Sequence, residues 1–240
     1  MLSALTTYPA IRHQSLLPFQ SVRFSGHVSA EDSVHFAGQM PSPVLGERFQ
    51  QALSLALELH ASQTRKGTRI PYVSHLMSVA SIALKFGGDE DEVIAALLHD
   101  AVEDQGGTPT LARIQKQFGD RVANIVSACS DTDITPKPPW RDRKEAYIAH
   151  IATASSSARL VSAADKLDNC RDTIADYQQQ GEALWSRFNA PNRKEDIIWY
   201  YRALTEAFRQ AGDSPLVQEL DRTVTHLERL ANGQALDCCG

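Results

Sequence analysis

The sequence predicts an all-α fold on three observations. Apolar residues recur at three- and four-residue steps from Glu47 onward, capping residues and glycine stops bracket those runs, and no credible β-sheet remains once they are placed. The first 46 residues stand apart. They hold Pro9, Pro18, Pro41 and Pro43 among scattered Ser and Gly with no sustained helical period, so an irregular extension is expected over residues 1–46. Within it, the alternation from Ser21 to Val28 could make a short strand, although a lone hairpin would be marginal.

Phe49, Leu53, Ala56 and His60 share one face and predict a first helix from Glu47 to Ser62. A polar loop from Thr64 to Tyr72 follows, and Ser74 is placed to cap a second helix that ends near Gly87-Gly88. Asp89 caps a third, which turns Val93, Ala96, Leu97 and Val102 inward and stops at Gly106-Gly107. Thr110 to Phe118 and Asp120 to Cys129 read as two short helices around Gly119. Pro136, Pro138 and Pro139 exclude helix from the loop between Asp131 and Pro139. Helical period resumes from Trp140 to Ala154, Ser156 to Gln180, Arg193 to Ala211 and Ser214 to Leu230. The expected organisation is an extension at 1–46, a helical domain at 47–180, further helices packed on it at 181–232, and a tail at 233–240.

Bulk composition narrows the function classes. With 240 residues, 42% hydrophobic and 22% charged, the chain can bury one sizeable core. A net charge of -5 gives no general attraction for nucleic acid, so any phosphate must be held locally by a few cations or a metal. Cys129, Cys170, Cys238 and Cys239 form no C-x-x-C pair, and the N-terminus lacks a basic region followed by a compact apolar stretch. Reduced thiols and a cytoplasmic location are expected, with no membrane span because no apolar run nears the ~18 residues one requires.

His99-Asp100 is the strongest chemical signal, because an imidazole and a carboxylate inside an apolar helix are costly to bury unless something pairs them. A metal ion is one such partner, and it must then draw further ligands from other helices. His75 opens the preceding helix, and Asp165 is a second carboxylate within an apolar run. The set His75, His99, Asp100 and Asp165 offers nitrogen and oxygen only, which suits manganese, zinc, iron or magnesium and argues against a closed structural zinc site. Manganese is the ion of choice. The competing reading has His75 filling a helix start while Asp165 pairs with Lys166 or Arg171.

Glu103 and Asp104 each follow a candidate ligand by four residues and share its face, placed to orient or deprotonate a water. Acids there oppose the helix dipole at ~0.3–1 kcal/mol each, although a solvated helix end would also tolerate them. Arg65 and Lys66 precede His75 in a loop and could hold phosphate. Asn169 lies four residues after Asp165, where its amide could meet a nucleotide. Among the later aromatics Tyr200 is the candidate for stacking on a base or ribose, against a plain core role.

Together these residues resemble a known family. Arg65-Lys66 before Pro71-Tyr72 and His75, the His99-Asp100-x-x-Glu103-Asp104 block, Phe118-Gly119-x-x-Val122 and Ala164-Asp165-Lys166-Leu167-x-Asn169 resemble, in order and spacing, the hydrolase domain of the RelA/SpoT alarmone enzymes. The resemblance runs from about Phe49 to Tyr177. It implies a helical HD-domain bundle, a manganese ion and removal of the 3′-pyrophosphate of guanosine tetra- or pentaphosphate. By that resemblance His75, His99, Asp100 and Asp165 are metal ligands, Glu103 and Asp104 the catalytic acids or bases, and Arg65, Lys66 and Asn169 nucleotide contacts. The chain leaves no room after this domain for synthetase and regulatory domains, so a small hydrolase-only relative is expected. Two positions depart from the family: Leu76 stands where Pro usually follows the histidine, and Asp168 where an aromatic or His is frequent. The alternatives are an HD hydrolase of another phosphorylated nucleotide, such as a deoxynucleotide or a 2′-phosphorylated dinucleotide, and a catalytically silent alarmone-binding protein.

Overall fold

The most apolar run of the sequence, Val93 to Leu98, becomes the centre of the molecule, with all six side chains buried. The computed structural model describes residues 45–130 and 136–234, which lie in one compact unit, Ser42–Gly240. The first half runs through α1 (Glu47–Leu59), α2 (Val73–Lys85), α3 (Glu90–Leu98), α4 (Ala101–Asp104), α5 (Gly107–Phe118) and α6 (Asp120–Cys129). Then come α7 (Trp140–Ile151), α8 (Ser156–Gln180), a 3-10 turn (Gly181–Arg187), α9 (Arg193–Ala211) and α10 (Pro215–Ala231). The all-α bundle expected from the sequence is what forms. Among the described residues the one β pairing is an isolated bridge between Thr64 and Pro71.

Two helices organise the rest. α3 starts in a capping box, Asp89 accepting from the Glu92 amide while Glu92 accepts from that of Asp89, and it packs against α1, α2 and α6. α8, capped by Ser155, is 25 residues long, or about 37 Å at 1.5 Å per residue. It touches α2, α3, α6, α9 and α10, so a side chain at its middle faces several elements at once. α10 lays Leu216, Leu220, Val224 and Leu227 along it, each buried side chain contributing roughly 1.5–3 kcal/mol.

Several boundaries differ from the sequence reading. The first helix ends at Leu59, because His60 leaves the helix and its Nδ1 pairs with Gln63 Oε1 at 2.7 Å. Ser74 does not cap α2: Tyr72 holds the cap position, and Ser74 Oγ donates to the Pro71 carbonyl instead. α5 begins at Gly107 rather than Thr110, entered through Gly106 at φ +115°, a conformation costly for any residue with a Cβ. α7 ends at Ile151 rather than Ala154, and α10 gains Ala231. Most consequential is the helix carrying His99-Asp100, which is not continuous. It breaks there, with Asp100 at φ −95°, ψ −2°, between α3 and α4. The strand suggested for Ser21–Val28, the rest of the extension up to residue 44, and Cys238-Cys239 lie outside the described residues.

Candidate metal centre and nucleotide cleft

Four side chains from three separate segments of the sequence converge where α2, the α3–α4 break and α8 meet. His75 sits in the first turn of α2, His99 and Asp100 occupy the break, and Asp165 lies mid-way along α8. Interrupting the helix relieves the roughly 100° spread that would part adjacent side chains, and the pair turns toward one point. Asp100 Oδ2 is 2.9 Å from His99 Nε2 and 3.6 Å from His75 Nε2. Asp165 Oδ1 is 3.3 Å from His75 Nε2 and 3.6 Å from His99 Nε2. Both imidazoles are fully buried, and neither Nε2 makes a hydrogen bond. Two buried, aligned nitrogen acceptors beside two carboxylates are left unsatisfied unless a cation sits among them.

The surroundings fit a divalent ion. His99 Nδ1 donates to the Ala96 carbonyl at 2.8 Å, and His75 Nδ1 donates to Asp168 Oδ2 at 2.6 Å, so each ring can turn its Nε2 lone pair into the cluster. Tyr72 donates its hydroxyl to Asp100 Oδ2 at 2.5 Å. Asp165 is gripped by Lys166 Nζ at 2.5 Å and by the Asn169 amide. Among the described residues no thiolate takes part, since Cys129 and Cys170 are buried elsewhere and burial pushes the Cys170 thiol up to about 12.

The comparisons with known proteins agree with this geometry. Residues 52–194 match the HD-domain family model. A guanosine-3′,5′-bis(diphosphate) 3′-pyrophosphohydrolase of Drosophila melanogaster is 32% identical over 69% of this chain and 95% of its own length. The chain belongs to the HD-domain family. The Xenopus tropicalis enzyme of the same description is 40% identical over 51% of this chain and 67% of its own. A solved metazoan ortholog of SpoT, described as hydrolysing ppGpp, superposes with a TM-score of 0.63 at 28% identity, covering 76% of this chain and 96% of the other. This HD-domain chain is therefore a metal-dependent phosphohydrolase.

Beside the HD cluster opens a cleft of about 740 Å³. It collects Arg65, Lys66, Glu103, Asp104, Asn169 and Tyr200, all six remaining candidates from the sequence. Each carries a contact of its own. Arg65 bonds Asn169 Oδ1 at 3.0 Å and Asp172 at 2.6 Å, and Lys66 reaches Asn189 at 3.0 Å. Glu103 pairs with Lys137 at 2.9 Å, and Asp104 accepts from Gln63 at 2.8 Å. Tyr200 is buried in the cleft wall with Lys144 Nζ 4.9 Å from its ring centroid. The competing reading of Asp165 proves to be half of the picture: it does pair with Lys166, through the oxygen that does not face the histidines, whereas Arg171 pairs with Glu219.

Sequence reasoning missed the supporting residues of the HD site. The sequence pattern marks Asp168 only as a departure and Tyr72 only as motif, and it gives Gln63 and Lys137 no mark at all. Their partners lie 93, 28, 41 and 34 residues away, and such pairs leave no local pattern.

Electrostatics make the metal-free site pH-sensitive. Burial lowers the affinity of His75 for a proton, but the surrounding carboxylates of Asp100, Asp165 and Asp168 outweigh it and raise its pKa from the ordinary 6.5 to about 9. Burial likewise disfavours charge on Asp100 and Asp165, yet His99 beside the first and Lys166 beside the second, with the other hydrogen bonds, hold both well below the usual 3.8. A raised histidine pKa stabilises the fold fully below 6.5 and ceases to do so as pH rises through about 9. The depressed carboxylates stabilise it above 3.8 and lose that contribution as pH falls through their lower values. The expected result is a melting temperature of chelator-treated protein that is highest between about pH 4 and 6.5 and declines toward 9, with metal affinity rising over the same upper range as imidazole protons leave. A melting temperature that is flat from pH 6.5 to 9 contradicts this electrostatic account.

Proposed function

We propose that the enzyme removes the 3′-pyrophosphate of guanosine tetra- and pentaphosphate, giving GDP or GTP and pyrophosphate, with manganese held by His75, His99, Asp100 and Asp165. The observation that carries this reading is a local inversion of charge. The chain is acidic overall at -5, yet the described lining of the cleft has seven cations, Arg65, Lys66, Lys137, Arg143, Lys144, Lys166 and Arg187, against four acids, Glu103, Asp104, Asp172 and Asp176. A cleft of that sign and size, opening beside the histidines, suits a polyphosphorylated nucleotide rather than a neutral ligand. The description of the Drosophila relative, matched over 95% of its length, supports the guanosine alarmone as that nucleotide.

The donor set of imidazole and carboxylate supports a borderline or hard ion such as manganese. When bound, that ion supplies Lewis acidity to a phosphoryl oxygen and lowers the pKa of water. The chain's own residues do the rest. Burial, with the Asp100 carboxylate adding to it, raises the pKa of Asp104, which suits a group that takes a proton from the attacking water. Gln63 fixes its orientation. Arg65 and Lys66 hold the phosphates, while Tyr200 offers a ring face to the base or ribose. Water attacks the 3′ phosphorus next to the ribose as Asp104 takes its proton, the bond from that phosphorus to O3′ breaks, and O3′ receives that proton to leave as a hydroxyl.

Arg65→Ala and Asp104→Asn separate binding from chemistry. The first should raise KM with little change in kcat, whereas the second should lower kcat by about 10²–10⁴-fold. Steady-state kinetics on guanosine tetraphosphate, with deoxynucleoside triphosphates and a 2′-phosphorylated dinucleotide in parallel, provide the check. Faster turnover of either rival overturns the alarmone assignment and leaves the HD chemistry standing.

A further inference from the structure

The position at which this sequence leaves the family pattern has acquired a partner. Asp168 is buried on α8, one turn beyond Asp165, and both of its oxygens point to α2. Oδ2 accepts from His75 Nδ1 at 2.6 Å, and Oδ1 accepts a short hydrogen bond from Ser78 Oγ. His75 and Ser78 are three residues apart on α2, and Asp165 and Asp168 three apart on α8, so the two helices face each other through a closed four-residue unit. Among the described residues His75 is the one ionic partner within 4 Å of Asp168, the Arg65 charge lying farther off. A buried carboxylate is expensive to desolvate, and here its oxygens serve one imidazole and the hydroxyl that anchors it. The other histidine of the cluster is treated differently, its Nδ1 meeting only the Ala96 carbonyl.

We infer that Asp168, anchored by Ser78, is a positioning residue that holds the His75 ring with Nε2 toward the cation and strengthens it as a donor relative to His99. A carboxylate behind an imidazole fixes its ring orientation and increases its basicity, while a carbonyl does less of both. The negative charge also adds to the field that retains a divalent ion. This inference rests on the metal reading of His75, and it assigns a use to the residue that replaces the family's aromatic or His.

Calorimetric titration of manganese into chelator-stripped wild type, Asp168→Ala, Asp168→Asn and Ser78→Ala tests it, alongside the melting temperature of each metal-free protein. Asp168→Ala should weaken manganese binding by about 10–100-fold. Asp168→Asn retains an oxygen for the ring N–H and an amide for Ser78 but loses the charge, and should bind manganese more tightly than Asp168→Ala and more weakly than wild type. Ser78→Ala should cost about threefold, by loosening the carboxylate. A purely structural Asp168 would instead give metal-free melting losses with unchanged affinity. Binding by Asp168→Ala within about twofold of wild type, or equal losses in the Ala and Asn variants, overturns the inference. If Asp168→Ala does not fold, unchanged affinity in Ser78→Ala overturns it. Absence of manganese binding by wild type would reject the metal reading itself, a result distinct from all of these.

Discussion

Asp100→Ala should reduce turnover to the level of chelated wild-type protein, a loss greater than the ~10–100-fold that outer-shell changes cause. Asp100 lies between the two imidazoles, with Oδ2 at 2.9 Å from one Nε2 and 3.6 Å from the other. Its removal leaves Asp165 as the one anionic donor among the four proposed ligands and strands the Tyr72 hydroxyl that now donates to it. A divalent charge in a buried site is then poorly neutralised, so the ion is lost before catalysis is affected in any subtler way. The fold should survive, because Asp100 sits at the helix break and its backbone carbonyl still receives the Asp104 amide. Circular dichroism and turnover measured on the same preparation separate the two effects. Retention of a tenth or more of wild-type turnover by a folded Asp100→Ala protein would sink the assignment of Asp100 as a ligand.

Asp165→Ala should carry the largest cost in stability. Its side chain is 8% exposed and that of Lys166, 2.5 Å away, is 16% exposed, so the pair is mostly out of water. Removing the carboxylate leaves a largely buried ammonium beside Tyr200 and the Tyr147 ring, centred 5.2 Å off, neither of which carries a formal charge at neutral pH. Breaking such a pair from one side costs about 3–5 kcal/mol, whereas replacing both members by apolar groups is often near neutral. Urea unfolding with chelator present, on Asp165→Ala, Lys166→Met and the double variant, gives the coupling between them. The double variant should be more stable than Asp165→Ala alone. A loss below about 1 kcal/mol in Asp165→Ala would show that water reaches Lys166 well enough to make the pair an ordinary surface bridge.

How far the sequence discloses this molecule depends on the range of the interaction. Caps and apolar periods are local, and α8 and α9 run over the residues their patterns mark, with Ser155 and Ser214 accepting from the first-turn amides as cap chemistry requires. The break at His99-Asp100 is invisible to such reading, because the apolar run continues through Ala101 and Val102 and only packing against α2 and α8 tells where the ladder opens. Ser74 shows the converse failure. It has a capping side chain two residues too late, and the turn at Pro71 claims it instead. In the site, residue types unfavourable to bury announced themselves, namely His75, His99, Asp100 and Asp165. The groups that orient them did not: Tyr72 looks like any turn residue, and Asp168 acquires meaning only when α2 is laid against α8.

The most direct test of the central claim is pyrophosphate release from guanosine tetraphosphate by purified protein, first after chelator treatment and then with manganese restored. The account predicts no release from the stripped protein, return of activity on adding manganese, and GDP with pyrophosphate as the products. Equal release with and without the ion, or hydrolysis that yields orthophosphate alone, would contradict it.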